Sequence, residues 1–301
     1  MNLPSVLAAF MPPGPDGAPT GMVFNMAYGI QGDARYTHIP ALLEMAGVPY
    51  TGSSPLGHAL GLDKVITKEL IRAAGVDTPD FRVMTGEESV WDELRFPVIV
   101  KPRHESTSFG LRLVEHPAAL QEAVRSVASL FGQPALVEEY IEGREVCVAL
   151  LGNGTPEILP VVEQDFGGRA LRILTYEDKF HKSAVEAEKI CPAPLDDALL
   201  TRLHEISRRT FHAVHVRDYA RVDLRIDANN RPWVLEINTM ASLGGGGSYV
   251  LAARHAGYDF DALVNRIVDV AHIRYFGTPA PTSAAVAMNP GETAVLSASA
   301  L

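Results

Sequence analysis

Residues 218–238 read Asp218-Tyr219-Ala220-Arg221-Val222-Asp223-Leu224-Arg225-Ile226-Asp227-Ala228-Asn229-Asn230-Arg231-Pro232-Trp233-Val234-Leu235-Glu236-Ile237-Asn238, and the fold is decided here. Ala220, Val222, Leu224 and Ile226 alternate with Tyr219, Arg221, Asp223 and Arg225, the period-2 signature of a strand with one apolar face. Asn229-Asn230 tolerates the positive φ of a tight turn. A second strand therefore returns, with Trp233, Leu235 and Ile237 on one face and Val234, Glu236 and Asn238 on the other. A two-residue turn pairs Ala228 with Arg231, which sets Asp223 opposite Glu236 and Arg221 opposite Asn238. Like charges directly opposite destabilise a sheet, so a carboxylate pair beside an amide asks for a cation. Donors that are all oxygen suit magnesium or manganese. A solvated polar face with slack register is the other reading that this pattern allows.

Upstream, Val98-Ile99-Val100 reads as a buried strand that ends at Lys101, ahead of Arg103-His104-Glu105-Ser106-Thr107-Ser108-Phe109-Gly110. Hydroxyls and backbone N–H groups in such a turn can wrap phosphate oxygens while a lysine supplies charge. The GxxxxGK[ST] order of a Walker A loop is absent, and a plain connector is the alternative. Downstream, Gly244 to Gly247 reads either as a linker or as a backbone nest for an anion.

The whole chain alternates strand and helix signals, which makes the expected fold class α/β (α+β). Residues 22–25 read as a strand and 37–46 as a helix stopped at Gly47. A second helix runs from an Asp63 cap to Gly75, and strands are expected at 97–101, 110–115, 136–140 and 145–151. Between them a helix opens on Pro117, and long helices follow at 195–214 and 260–275. Boundaries near 63 and 151 divide the chain into 1–63, 64–151 and 152–277, followed by an uncharged Ala/Ser/Pro/Thr tail over 278–301 that is expected to be flexible.

Composition narrows the function. Lys+Arg 26 against Asp+Glu 36 leaves a net charge of −10, which removes the long-range attraction that nucleic acid or an anionic membrane needs. No run approaches the roughly 20 apolar residues of a membrane span, and the start lacks the basic region of a signal peptide; a cytoplasmic protein is expected. Cys147 and Cys191 are too few for a disulfide framework. Asp165-Phe166-Gly167 has no kinase companions and reads as a loop, and His212 with His215 lacks a third metal ligand nearby.

The ordered set of Lys64 in Leu62-Asp63-Lys64, Lys101 in Val98-Ile99-Val100-Lys101-Pro102, Val137-Glu138-Glu139-Tyr140-Ile141 with Glu145, Tyr219-Ala220-Arg221-Val222-Asp223, and Leu235-Glu236-Ile237-Asn238-Thr239 resembles the ATP-grasp superfamily, in the style of the D-alanine:D-alanine ligases. Val23-Phe24-Asn25 and the stretch from Gly47 to Ser53 are family-like as well. The resemblance implies an ATP-grasp fold with a shortened N-terminal α/β lobe. The implied activity is ATP-dependent joining of a carboxylate to an amine through an acyl phosphate, with ATP and Mg2+ (or Mn2+) as cofactors. Small amino acids are the implied substrates, and a homodimer is one allowed assembly.

The same resemblance implies roles residue by residue. Lys64, Lys101 and Lys179 bind phosphates, Glu138 and the backbone from Glu139 through Tyr140 to Ile141 meet adenine, and Glu145 takes the ribose. Asp223, Glu236 and Asn238 hold the metal, Arg221 faces the tetrahedral intermediate, and Thr107 and Ser108 stand where the family has paired serines in a closing loop. Phe180 occupies a place where typical members carry tyrosine, which implies a relaxed acceptor preference. The family's Pro-Gly-Met beyond the metal strand is replaced by Met240-Ala241-Ser242 and a glycine run, so the acceptor pocket is expected to differ. A related amino-acid ligase and a noncatalytic nucleotide-binding protein are the rival readings.

Overall fold

The computed structural model describes residues 11, 14–17, 19–86, 94–169, 172–174 and 187–280. Two antiparallel sheets carry the architecture. The first has the order β1-β4-β2-β3, built from β1 (Phe81–Met84), β2 (Val98–Pro102), β3 (Arg112–Val114) and β4 (Ala135–Glu139). Helix α4 (Pro117–Phe131) follows α1 (His38–Met45), α2 (Pro55–Leu62) and α3 (Lys64–Ala73) in the chain. It starts with proline in its first turn and ends at Gly132, whose φ of 64° is the left-handed cap. Its Leu120, Ala123, Val124 and Val127, spaced for one face, pack on Val98, Val100 and Val137. Because neighbours along a strand point to opposite faces, Ile99 and Lys101 are left for the other face, and both line a cleft.

The second sheet contains β5 (Arg144–Leu151), β6 (Glu157–Ile158), β7 (Val162–Asp165), β8 (Glu188–Ile190), β9 (Tyr219–Ile226) and β10 (Pro232–Asn238). Its order is β10-β9-β5-β7-β8, with β6 paired to β5. One face buries Val146, Val148, Val222, Leu224, Val234 and Ile237 against Leu203 and Phe211 of α5 (Asp197–Ala213) and Ile71 of α3. On the other face Ala149 and Tyr219 pack with Tyr249 of α6 (Ser248–His255) and with Leu263 and Ile267 of α7 (Phe260–Phe276). The remainder of that face, around Asp223 and Arg225, opens onto the cleft.

The helices and strands lie where the periodicity placed them, with four exceptions of substance. Among the described residues, 22–25 make only an isolated parallel bridge, Val23 to Tyr50. Helix α2 was not anticipated, although Ser54 caps it by accepting from the Gly57 N–H and Pro55 opens it. Strands β1, β6, β7 and β8 and helix α6 are likewise additions, the strands being only two to four residues long. The chain crosses from one sheet to the other between β4 and β5, so β5 is a strand of the second sheet, ahead of the division near Leu151.

The hairpin departs from its expected geometry in two places. The Asn230 N–H donates to the Asp227 carbonyl at 3.0 Å and Asp227 pairs with Arg231, so the turn holds three residues, with Asn230 at φ 58°. Trp233 then faces Arg225 and Val234 faces Leu224, until an irregularity at Leu235 restores Glu236 opposite Asp223 and Asn238 opposite Arg221. Such a bulge adds one residue to one strand. As a result Val234 joins Ile237 in the core, where a regular strand would have put them on opposite faces. Among the described residues no helix is long and apolar enough to cross a membrane.

Candidate functional site: a cleft between two sheets

Asp63 fixes the first lysine. Its carboxylate accepts from the N–H groups of Val65 and Ile66 at 3.0 and 3.1 Å, capping α3. It also accepts from Arg103 Nε and Nη2 at 2.8 and 2.6 Å. Burial opposes the charge, yet the bonds from His104, Arg103 and Ile66 hold this carboxyl well below the ordinary range. The helix start is thereby tied to the loop after β2, and Lys64, its first residue, donates to the Glu105 carbonyl while standing 3.7 Å from Glu236.

The second lysine belongs to a buried cluster. Lys101 Nζ donates to Glu138 Oε1 at 2.5 Å and Lys68 Nζ lies 2.8 Å from Glu138 Oε2; Lys68 also donates to Thr78 Oγ1 at 2.6 Å. Lys68 was not singled out by sequence. Its spacing of four from Lys64 put both on one side of α3, which was the available signal. Burial lowers the Lys68 ammonium to about 8 although Glu138 pulls the other way. Burial works against Lys101 too, but Glu138 and Glu236 raise it above the ordinary lysine value. For Glu138, burial is outweighed by Lys101 and Lys68, which lower it. Lys64 is lowered by burial, with Lys101 adding to the effect. Three lysines thus share one fully buried carboxylate and the half-buried Glu236, a site with positive charge to spare.

Lys64, Lys101, Glu138 and Glu236 line a cleft of ≈ 790 Å³, its open mouth included. Lys64, Lys101, Glu138, Glu139, Tyr140, Ile141, Glu145, Ser108, Asp223 and Glu236 all face it. A smaller cleft of ≈ 360 Å³ adjoins it, sharing Lys64, Glu105, Ser106 and Glu236 and adding Tyr36, Asn238, Thr239 and Met240. Thr107 does not line either cleft; it and Ser108 have positive φ, 62° and 60°, and the Thr107 hydroxyl donates to the Ser106 carbonyl at 2.6 Å. Arg221, partly exposed, likewise lines neither cleft and grips Asp223 with Nε and Nη2 at 2.6 and 2.7 Å. Burial opposes its charge, but Asp223 holds the guanidinium more firmly protonated than an ordinary arginine. Lys179 and Phe180 lie outside the described residues.

The three residues expected to hold a metal come together on the hairpin: Glu236 faces Asp223 and Asn238 bonds to it. Asn238 Nδ2 donates to Asp223 Oδ2 at 2.9 Å, which leaves the amide oxygen as an acceptor. Among the described residues no group of three or more His, Cys, Asp or Glu could hold a metal ion. Two facing carboxylates with an amide nonetheless fit magnesium, which binds one or two protein carboxylates and completes its shell with phosphate and water. In the glycine run, Gly247 closes a turn onto the Gly244 carbonyl and precedes α6 as its cap, while Lys189 donates to the Gly246 carbonyl at 2.7 Å.

Residues 59–269 match the family model described as D-ala D-ala ligase C-terminus. An uncharacterized protein, y4sG, of Sinorhizobium fredii is 56% identical over 276 residues, 92% of this chain and 82% of that protein. A D-alanine–D-alanine ligase of Chromohalobacter salexigens is 39% identical over 250 residues, 82% of this chain and 76% of the ligase. The fold is shared with the D-alanine–D-alanine ligase of Bacillus anthracis solved with ATP, at a TM-score of 0.67 and 24% identity, covering 79% of this chain and 75% of that one. It is shared equally with the VanG D-Ala:D-Ser ligase of Enterococcus faecalis, at 0.68 and 22% identity, covering 78% and 68%.

Proposed function

This chain belongs to the D-ala D-ala ligase C-terminus family, an ATP-grasp fold, and from that premise we propose that it is an ATP-dependent ligase that joins the carboxylate of one amino acid to the amine of another. The observation that carries the reading is the placement of Lys64 and Lys101 in the same cleft as Asp223 and Glu236, between two sheets. A carboxylate is a poor electrophile. Phosphoryl transfer from ATP forms a carboxylate-oxygen-to-phosphorus bond, breaks the bond from the γ-phosphorus to its bridging oxygen, and releases ADP. The amine then attacks the acyl carbon, phosphate departs, and the nitrogen loses a proton.

Each residue serves one of these steps. Glu138 and the backbone of Glu139, Tyr140 and Ile141 would meet the adenine, and Glu145 the ribose. Lys64, Lys101 and Lys179 neutralise phosphate charge, which is most of what phosphoryl transfer requires. Asp223, Glu236 and Asn238 would hold magnesium or manganese, which would add to the neutralisation of phosphate charge. Arg221 stabilises the oxyanion that develops on attack, and the loop with Thr107 and Ser108 excludes water that would hydrolyse the acyl phosphate. For Arg221 this requires release from Asp223, which it grips with Nε and Nη2.

The adjoining cleft at Tyr36, Thr239 and Met240 is where we place the amino acids. A second reading, an acceptor other than D-alanine, is favoured by Met240, which stands in this cleft where the resemblance led one to expect Pro-Gly-Met. Amino-acid-dependent ADP release with magnesium present tests the ligase reading, and the product mass with D-alanine alone identifies the acceptor. Tight ATP binding with no ADP release for any amino acid would leave a noncatalytic nucleotide-binding protein.

A further inference from the structure

Arg225 is buried at 4% side-chain exposure and yet borders the nucleotide cleft. Its Nη1 donates to the Ile141 carbonyl at 2.8 Å, and its Nη2 to Glu145 Oε2 at 2.9 Å and to the Arg172 carbonyl. The guanidinium carbon stands 4.8 Å from the centroid of the Tyr140 ring. Glu145 is its direct cross-strand neighbour, β5 against β9. A charged group so far from water persists only where its hydrogen bonds are satisfied, and here the partners are chosen from one place. Tyr140 and Ile141 form the passage between the sheets, Glu145 is the second residue of β5, and Arg172 precedes Ile173 and Leu174, which line the cleft.

We propose that Arg225 is a positioning residue for the nucleoside end of the cleft: it aims the Glu145 carboxylate at the ribose hydroxyls and fixes the Tyr140-Ile141 backbone on which the base rests. The proposal rests on the reading that the cleft takes ATP. A planar fork reaches a carboxylate and two carbonyls from two separate nitrogens, whereas a lysine offers all its donors from one point. A residue that only filled the core would leave discrimination between sugars untouched.

The test is calorimetric binding of ATP and of 2′,3′-dideoxy-ATP, in magnesium, to the full chain and to Arg225→Met and Arg225→Lys. The parent is expected to favour ATP over the dideoxy compound by about tenfold, the scale of a charge-assisted hydrogen bond. Arg225→Met should bring the ratio to within about twofold, chiefly by weakening ATP. Arg225→Lys keeps the buried charge but not the fork and should fall between; it serves alone if the methionine variant does not fold. In ADP-release assays the loss should appear in KM for ATP, with KM for the amino acid unchanged. An unchanged ratio in the variants overturns the role of Arg225 while leaving the ATP site standing. Failure of the parent itself to bind ATP overturns the functional reading, and the role of Arg225 with it.

Discussion

Glu236 faces Asp223 directly across the β9–β10 ladder although the turn joining their strands is one residue longer than the shortest hairpin. Continued regularly, the three-residue turn would put Leu235 opposite Asp223 and Glu236 opposite Val222, on the core side. The bulge at Leu235 absorbs the extra residue. Leu235 and Glu236 therefore both reach the cleft, and Val234 and Ile237, three apart, both reach the core.

Glu236→Gln tests what that pairing is for. Gln keeps the shape and removes one of two facing negative charges, but it also takes a carboxylate from beside Lys64, so the two effects oppose and the unfolding free energy should change by less than about 1 kcal/mol. Amino-acid-dependent ADP release should fall at least about a hundredfold, because a charged donor toward metal and phosphate is gone. Parental turnover in this variant would remove Glu236 from the metal site.

Lys68 gives a pH signature. Its ammonium titrates near 8 in the folded protein against 10.5 ordinarily, so between those values the unfolded chain binds more protons than the folded one. The Lys68 contribution to stability therefore rises with pH across that window, and the difference in unfolding free energy between the parent and Lys68→Met should grow from pH 8 to pH 10. Deprotonation also subtracts a positive charge from the cluster around Glu138, so ATP affinity of the parent should weaken above pH 8 while that of Lys68→Met changes less. Parallel pH profiles for the two proteins would refute the assignment.

How much of this was legible before the coordinates depends on whether a residue's partners are local. The Asp63 cap, the Pro117 helix start and the alternation of 219–226 are local signals, and the structure reproduces them. The Asp223–Glu236 register was anticipated from a turn that is wrong by one residue, and came out right because the Leu235 bulge cancels the error. No spacing rule reports such a bulge. Lys68 and Arg225 owe their roles to Glu138, Ile141 and Arg172, contacts made only when helix α3 and the two sheets come together. The short strands β7 and β8 are likewise read from their ladder neighbours, since three or four residues carry too little periodicity.

His58 supplies an acid-sensitive element. It is buried, its Nδ1 lies 2.8 Å from Thr239 Oγ1, and its Nε2 has no hydrogen-bond partner among the described residues. Burial, with a smaller push from Arg217, lowers its pKa to about 4. Below about 6.5 the unfolded chain takes up a proton that the folded imidazole refuses, so stability present at neutral pH is lost as pH falls toward 4, by on the order of 3 kcal/mol at the limit. Urea midpoints at pH 7.5 and pH 5 should separate more for the parent than for His58→Gln, which has no such titration. Equal separations would show that another group drives the acid response.

Gly61 couples helix packing to the metal strand. A Cβ there would come within 2.4 Å of Thr239 Cγ2 and 3.7 Å of the Ile237 carbonyl, next to Asn238. Alanine in a helix ordinarily gains about 1 kcal/mol over glycine, but here the clash should win, so that Gly61→Ala destabilises by about 1 to 3 kcal/mol. The displaced strand end should also lower turnover. Thr239→Ser deletes the offending methyl and keeps the hydroxyl beside His58, so adding it to Gly61→Ala should restore both stability and ADP release. A double-mutant cycle on unfolding free energy is the measurement, with a coupling above about 1 kcal/mol expected for residues in contact. If Gly61→Ala alone stabilises the protein, or the two changes are additive, the close approach of α2 to Thr239 does not constrain the site.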